Sequence, residues 1–198
     1  MTGSELHTGS VSPPRGRHYW ERFAGSELPD GADLADLRRG IGKSPGAVPE
    51  MWRFYTTLTP DGGVTSGLVA EHLALTLFAV HQQSRPRLVH LKGVGLGTAI
   101  LALRTSGKFS EQAVDRRFGA AATATSVAEV GIHLRGLVTQ LRPMDQPIDY
   151  TQLMFDLRGW QNPEWLSRVR RRWGSQYFAP RAVAAGVPGA AQQTDTSN

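Results

Sequence analysis

Apolar residues recur along the chain at helical spacing, and each set begins at a residue that is suited to cap a helix. In the clearest example, Ser126 and Glu129 have the spacing of a capping box. The apolar stripe that follows consists of Val127, Val130, Leu134, Leu137, Val138 and Leu141. No segment shows a sustained period-two alternation of β-branched residues. The pattern therefore predicts an all-α protein.

The stretch PIDYTQLMFDLRGW, residues 147–160, contains two carboxylates, a tyrosine and an arginine, and so raises the question of a reacting centre. Asp149 is followed three residues later by Gln152, which is the arrangement of a helix N-cap. The stripe behind it is Tyr150, Leu153, Leu157 and Trp160. Because Asp156 lies nearly two turns from Asp149, the two carboxylates do not converge for acid–base chemistry. We interpret the stretch as the start of a helix.

The other helix signals lie on both sides of a glycine-rich segment at residues 93–97, which we interpret as a flexible connector. Before it are a face of Leu34, Leu37 and Ile41 ended by Gly42, and a buried helix over residues 68–80. After it, Ser110 caps one helix, and Asn162 and Pro163 begin the last, whose buried face is Leu166, Val169, Trp173 and Tyr177. We therefore predict two small helical bundles joined by a short connector, at residues 17–95 and 96–180.

Composition limits the class of protein further. Residues 1–16 and 181–198 are mostly small and polar, and we expect both tails to be disordered. The chain has no cysteine, which excludes disulfides and thiolate metal sites and suits the cytoplasm. The most apolar run, residues 73–80, is far too short to span a bilayer, so no membrane partner is expected.

The polar residues do not indicate an enzyme. The histidines are scattered, and no pair has the i, i+4 spacing with a neighbouring glutamate that a helical zinc site uses. No serine lies in a nucleophile-elbow context, and no cluster of carboxylates is suited to magnesium. We expect no catalytic residue, no metal and no cofactor. A hydrolase built around Asp149 is kept only as an alternative.

Arginine is the residue type that points to a ligand. The chain has 22 basic and 17 acidic residues, and nineteen of the basic residues are arginine. Residues 100–198 hold twelve basic against eight acidic residues, so a polyanion is expected to bind there. Arginine suits phosphate because its planar guanidinium can bond two oxygens. The candidates are Arg38, Arg39, Lys43, Arg116, Arg117, Arg135 and Arg142, with a further run at Arg168, Arg170, Arg171 and Arg172.

Two of these sets also have a purely structural explanation. Arg38 and Arg39 would compensate the dipole at the end of a helix, and the run at 168–172 is equally well explained as a solvated face. Arg135 and Arg142 are seven residues apart and so project from one side of their helix. The tryptophans and tyrosines fall on predicted core stripes, so stacking on unpaired bases is not supported, and contact with the nucleic-acid backbone is favoured.

Several segments in a fixed order resemble the CasB family, the small subunit of the type I-E CRISPR Cascade complex. They are DLADLRRGIGKSPG, MWRFYTTL, GLGTAILAL, DRRFGAAATATS, GIHLRGLVTQL, PIDYTQLMFDLRGW and RVRRRWGSQYF. Together they span about residues 18–178. No single segment is specific, but the ordered set is.

The resemblance implies a non-catalytic, all-helical protein that binds crRNA and the target and displaced DNA strands through their backbones. It would thereby stabilise the R-loop in antiviral defence, while guide pairing supplies the sequence specificity. The implied protein partners are the large subunit, the backbone subunits and a second copy paired head to tail. A stand-alone helical DNA-binding regulator is the alternative, but we find no recognition helix with polar base-reading residues.

The family motifs carry contact roles to individual residues of this chain. The matching positions are Arg38 and Arg39 in LRRG, Arg116 and Arg117 in DRRF, and Arg135 in HLRG. Gly136 stands where some relatives carry a second arginine, which weakens the site at Arg135. Lys43 and Arg142 are added by position and charge. For Arg168, Arg171 and Arg172 the choice between DNA and a neighbouring subunit stays open.

Overall fold

The structure, a computed structural model, describes residues 17–23 and 27–179. Its helices are α1 (Gly31–Arg39), α2 (Ser66–Gln82), α3 (Leu96–Thr105), α4 (Glu111–Thr123), α5 (Val127–Leu141), α6 (Tyr150–Trp160) and α7 (Pro163–Tyr177). Short 3-10 turns at Tyr19–Glu21, Pro49–Phe54 and Arg142–Met144 and one isolated parallel bridge between His90 and Ile148 complete the regular structure of these ranges. The predicted all-α fold is confirmed. The tails predicted at 1–16 and 181–198 lie outside the described residues.

Helix α2 lies at the centre of the fold and packs against α1, α5 and α6. It is apolar on nearly every side, and Leu75 and Phe78 have no exposed surface. A helix with this pattern can be stable only inside a core. The apolar cluster around it continues from Trp20 through to Tyr177. Helix α2 contacts helices on both sides of the predicted boundary between residues 95 and 96. The division of the chain into two bundles therefore stays a prediction.

Glu71 is a carboxylate buried completely within α2. Its oxygens accept hydrogen bonds from the backbone N–H and the hydroxyl of both Thr56 and Thr57, at 2.6–3.0 Å. Nδ1 of His18 lies 3.1 Å from the same carboxylate. Burial alone would raise the pKa of Glu71, but the hydrogen bonds from His18, Thr56 and Thr57 outweigh it and hold the pKa below its usual value. This carboxylate fastens two preceding segments to α2.

Asp149 forms the N-cap of α6, as predicted. One carboxylate oxygen accepts from the backbone N–H of Gln152 at 2.9 Å, and the other accepts from that of Gly93 at 2.8 Å. The backbone N–H of Asp149 donates to the carbonyl of Val94 at 2.7 Å. The residue therefore joins the start of α6 to the segment before α3, which is a structural task.

The other predicted caps are mostly confirmed. The Ser126 hydroxyl accepts from the backbone N–H of Glu129 at 3.1 Å, and the Asn162 side chain accepts from that of Glu164 at 2.9 Å. The Glu129 carboxylate returns to Thr125 rather than to Ser126, at 2.7 Å. Ser110 occupies the N-cap position of α4, but its side chain makes no capping hydrogen bond.

Two sequence expectations about glycines were wrong. Helix α1 ends at Arg39 instead of continuing through Ile41, and Gly40 caps it where a Cβ would lie 2.2 Å from the sulfur of Met51. The segment at 93–97, predicted as a flexible connector, is packed against α7 at its C-terminal end. Gly97 lies in the first turn of α3, where a Cβ would stand 2.3 Å from the carbonyl oxygen of Trp173, so the glycine lets α3 and α7 approach closely.

Replacing Glu71 with glutamine should lower the free energy of unfolding near pH 7 by about 1–3 kcal/mol, because the amide keeps one acceptor oxygen and turns N–H donors towards the remaining buried donors. The folded-state pKa of Glu71 is depressed, so its contribution is present above the usual value of 4.5 and is lost as pH falls through the folded-state value. Urea unfolding at several pH values should therefore show the deficit of Glu71→Gln shrinking in acid. The exposed Glu164→Gln is the control, with a change of about 0.5 kcal/mol or less. A deficit that is independent of pH would contradict this assignment.

The caps of α6 and α4 allow a matched comparison. Asp149→Ala should cost about 1–2 kcal/mol in thermal or urea unfolding, since two backbone N–H groups lose their acceptor. Ser110→Ala removes a side chain at the same helical position that bonds nothing, and it should cost less than about 0.5 kcal/mol. Equal losses in the two variants would show that the hydrogen bonds of Asp149 do not stabilise the fold.

Candidate nucleic-acid interface

The most exposed predicted pair of cations lies on α4. Val114 and Phe118 turn inwards to the core and anchor the helix, which leaves Arg116 and Arg117 exposed to solvent. Neither guanidinium forms an ion pair within 4.0 Å with any residue that the structure describes. These two side chains are therefore available to an external anion.

The acidic residues of the same helix are already paired. Arg104 of α3 contacts Glu111 at 2.8 Å and Asp115 at 2.9 Å. The hydroxyl of Tyr177 also donates to Asp115. The hydrogen bond from Arg104, followed by that from Tyr177, holds the pKa of Asp115 below its usual value. Because both carboxylates already contact Arg104, neither forms an ion pair with Arg116 or Arg117.

Lys43 and Arg135 come from opposite halves of the chain but line the same groove. This groove, of about 490 Å³, lies between the turn after α1, α2 and α5. Its floor is largely apolar, with Leu73 and Val80 among the lining residues, and both cations are exposed at its edge. The structure thus joins two predicted contact residues that are separated by most of the sequence.

At the end of α1 the two arginines differ. Arg38 is half-buried and forms no ion pair with the described residues, whereas Arg39 contacts Glu50 and lies 3.9 Å from Asp36. A phosphate at Arg39 would have to compete with these carboxylates. The dipole-compensating role is therefore compatible with the position of both residues, and Arg38 is the less neutralised of the pair.

Arg142 does not project beside Arg135. It follows the last residue of α5, and its guanidinium donates to the backbone carbonyl of Gln83 at 2.9 Å. The carbonyl of Arg142 in turn accepts from Arg85 at 2.8 Å. The side chain ties the end of α5 to the end of α2. The expectation that it shares a surface with Arg135 was wrong, since the chain turns into a 3-10 segment there.

The arginine run of α7 divides into internal and external members. The guanidinium of Arg172 contacts the buried carboxylate of Asp156, and Arg170 donates to the carbonyl of Ala124 at 3.0 Å. Arg168 and Arg171 are exposed and form no ion pair within the described ranges. Only these two of the run are available to an outside partner without loss of an internal contact.

Sequence reasoning missed the exposed aromatic residues. Trp20, Trp160 and Trp173 are buried, as predicted, but the exposed fractions of Trp52 and Trp165 are 54% and 53%. Trp165 follows the first two residues of α7, beside the last turn of α6, and the core does not extend that far. On the helical wheel Trp165 lies close to the buried stripe, which predicts burial. The only sequence signal of its exposure is its position in the first turn of the helix.

The buried histidines of α2 have hydrogen-bonding partners within the fold. Nδ1 of His72 lies 2.6 Å from the hydroxyl of Tyr55, and Nδ1 of His81 lies 2.9 Å from that of Tyr150. Burial lowers the pKa of His81 to about 3. Within residues 17–23 and 27–179 no group of His, Asp and Glu could hold a metal ion. No helix in those ranges is both long and apolar enough to cross a membrane.

These features define an all-helical protein with an internally braced core and exposed cations suited to a polyanion. Residues 33–178 match the family described as CRISPR-associated protein Cse2. The chain belongs to this family, which confirms the resemblance to CasB. A comparison with curated proteins gives no significant match.

Solved structures of the family have the same fold. CasB from Thermobifida fusca is 34% identical with a TM-score of 0.62, and the match covers 75% of this chain and 84% of that one. A Cse2-family protein from Thermus thermophilus is 25% identical with a TM-score of 0.58, covering 75% and 86%. A chain of a CRISPR RNA-guided surveillance complex is 24% identical with a TM-score of 0.59, covering 76% and 83%.

The neighbours Arg171 and Arg172 should respond differently to truncation. Arg172→Ala leaves Asp156 with hydrogen bonds but no cation, and should cost about 1–3 kcal/mol in urea unfolding near pH 7. Arg171→Ala, the control, should change stability by less than about 0.5 kcal/mol. Equal effects would contradict the internal role of Arg172.

The deficit of Arg172→Ala should also depend on pH. Burial raises the pKa of Asp156, while the hydrogen bond from Trp173 and the charge of Arg172 oppose that rise. A raised folded-state pKa means that this carboxyl favours folding most in acid and less as pH rises through that value. Without Arg172 the pKa rises further, so the deficit should be larger near pH 7 than near pH 4. The opposite trend would contradict the pairing.

Proposed function

We propose that this chain is the small subunit of a Cascade-type CRISPR surveillance complex, where it binds nucleic-acid backbone without catalysis and steadies the R-loop. The observation that carries the proposal is the exposed pair Arg116 and Arg117, whose neighbouring carboxylates are both taken up by Arg104. Family membership and the fold shared with a chain of a CRISPR RNA-guided surveillance complex support the assembly.

The chemistry of the arginine pair favours phosphate over other anions. Each guanidinium presents several N–H donors in one plane and can bond two phosphate oxygens together. The core-anchored helix α4 fixes the backbone from which both side chains project. Contacts of this type carry no sequence information. They suit a complex in which guide pairing reads the sequence and the protein recognises the strand as a charged backbone.

Lys43 and Arg135 form a second candidate contact because they line one groove. Arg38 lies at the end of α1, a short turn before Lys43 in the chain, and is included with them. Arg39 and Arg142 contribute less, since their guanidinium groups already contact carboxylates or a carbonyl. The proposed path on the target strand, the displaced strand or crRNA therefore rests mainly on Arg116, Arg117, Arg135 and Lys43.

The protein partners proposed for the chain are the large subunit, the backbone subunits and a second copy in head-to-tail contact. Arg168 and Arg171 are suited to either a subunit or DNA, because both are exposed on α7 without a carboxylate partner in the described part of the chain. The structural roles of Asp149, His72 and His81 support a non-catalytic subunit.

Double replacement of Arg116 and Arg117 with alanine should weaken binding to single-stranded DNA without lowering thermal stability. About four to six phosphate contacts give a slope of roughly −3 to −4 in log affinity against log salt, and loss of two contacts should reduce its magnitude by about 1.4. Titrations at several salt concentrations measure the slope, and the R-loop lifetime of the assembled complex measures the functional effect.

The matched control is Arg87→Ala with Lys92→Ala, which removes two exposed positive charges outside the proposed surface. It should change the slope far less. An unchanged R-loop lifetime in the Arg116→Ala, Arg117→Ala complex would remove this pair from the interface. Protection of one defined duplex sequence without guide RNA would instead favour a stand-alone regulator.

A further inference from the structure

Two aromatic side chains that the backbone-binding function does not use are exposed on the hairpin of α6 and α7. Trp165 in the first turn of α7 has an exposed fraction of 53%, and Phe155 of α6 has one of 49%. Phe155 and Gly159 are four residues apart and so lie on one face of α6. Trp165 lies against Gly159, where an added Cβ would stand 3.5 Å from Cβ and 3.7 Å from Cε3 of the indole. Phe155 therefore lies one helical turn before the position on α6 that Trp165 contacts.

The backbone that carries the indole is fixed and the ring contacts α6, although about half of the residue is exposed. The backbone N–H of Trp165 donates to the Asn162 carbonyl at 3.1 Å. The Asn162 side chain also accepts from the backbone N–H of Glu164 at 2.9 Å, which fixes the first turn of α7. One edge of the indole rests on α6 at Gly159. A fixed aromatic surface binds a flat ligand with little loss of side-chain entropy.

The charges around this surface favour a polyanion. Arg158 follows Phe155 by three residues, and Arg168 follows Trp165 by three residues, so each arginine lies next to an aromatic residue on its helix. Both arginines are exposed and form no ion pair among residues 17–23 and 27–179. Glu164 is the exposed carboxylate beside Trp165 on the chain. Aromatic rings that alternate with unneutralised arginines suit unpaired nucleotides, whose bases stack while their phosphates pair.

Trp52 provides an internal comparison. Its exposed fraction, 54%, is almost the same as that of Trp165. However, its indole N–H is committed to the carbonyl of Gly46 at 2.7 Å. The adjacent Arg53 is paired with both Asp33 and Asp36 at 2.8 Å. Trp52 therefore lacks the available cation that a nucleotide would need.

We infer that Trp165 and Phe155 form a stacking site for unpaired nucleobases, with Arg158 and Arg168 bound to the flanking phosphates. The inference rests on the proposed function, because it assigns to that nucleic-acid binding a second mode of contact on a different pair of helices. Single-stranded DNA and RNA share the recognised chemistry, a base with a flat π-face beside a phosphate. Stacking tolerates every base, so the site adds affinity for unpaired strands without sequence preference.

The test distinguishes contacts to the bases from contacts to the phosphates. The full chain is titrated with an end-labelled oligothymidylate of about 20 nucleotides and with an abasic oligonucleotide that has the same number of phosphates. The wild-type chain should bind the oligothymidylate about tenfold more tightly. Trp165→Ala should abolish this preference and leave abasic binding unchanged, whereas Trp165→Phe should keep most of it. Trp52→Ala, the matched control, should keep it entirely.

The same titration distinguishes this inference from the proposed function. Arg116→Ala with Arg117→Ala should weaken binding of both oligonucleotides by the same factor and preserve their ratio. If the wild-type chain binds both alike, or if Trp165→Ala weakens both equally, the stacking site is wrong while backbone binding stands. If neither oligonucleotide binds, the proposed function fails and the stacking site with it. If Trp165→Ala alters only self-association in sedimentation, this surface binds protein, and the inference is overturned.

Discussion

The burial of α2 along its whole length is the constraint on which the other elements depend. Its apolar surface can leave water only if helices cover it from several directions, and α1, α5 and α6 do so. The polar groups that α2 buries then need hydrogen-bond partners, and those of Glu71 are Thr56, Thr57 and His18. The hydrogen bonds of this one carboxylate fix the path of two segments that have little regular structure of their own.

The distribution of exposed positive charge depends on which arginines are paired with acidic residues. Asp149 caps α6, Asp156 lies buried against Arg172, and Asp115 is held between Arg104 and Tyr177. Each carboxylate has partners within the fold, and those of Asp115 and Asp156 include an arginine whose charge is thereby also compensated. Arginines such as Arg116 and Arg117 outnumber the acids that remain available to them. The excess of positive charge comes from the composition of the chain, and the pairing decides which of the described arginines remain without a carboxylate partner.

Local features of the fold could be predicted from the sequence, because their partners lie within one helical turn. The caps at Ser126, Asp149 and Asn162 are of this kind, and the structure contains all three. The end of α1 could not be predicted, because it depends on how closely Met51 approaches Gly40, a contact between separate segments. Helical spacing gives the direction of a side chain but not what covers it.

The same limit applies to the candidate site. Arg116 and Arg117 are exposed as predicted, since the apolar face of α4 fixes which way they point. The internal contact of Arg142 could not be anticipated, because its partner Gln83 is 59 residues away in the chain. The exposure of Trp165 was missed for the converse reason. Its helical position predicts burial, but the neighbouring helix α6 ends before it can cover the indole.

Helix α7 shows why an arginine run cannot be treated as one functional unit. Val169 and Trp173 bury one face, and Arg170 and Arg172 brace the flanks through Ala124 and Asp156. These inward contacts immobilise the helix.

The remaining arginines of α7, Arg168 and Arg171, therefore project from a fixed support. The ordered backbone removes part of the entropy cost of binding, while the exposed side chains still lose rotamer freedom. Arg170 and Arg172 thus fix the helix that carries the proposed contact residues, through contacts within the fold. Charge removal at Arg172 is therefore expected to act on the packing of α7, and charge removal at Arg168 on the proposed contact.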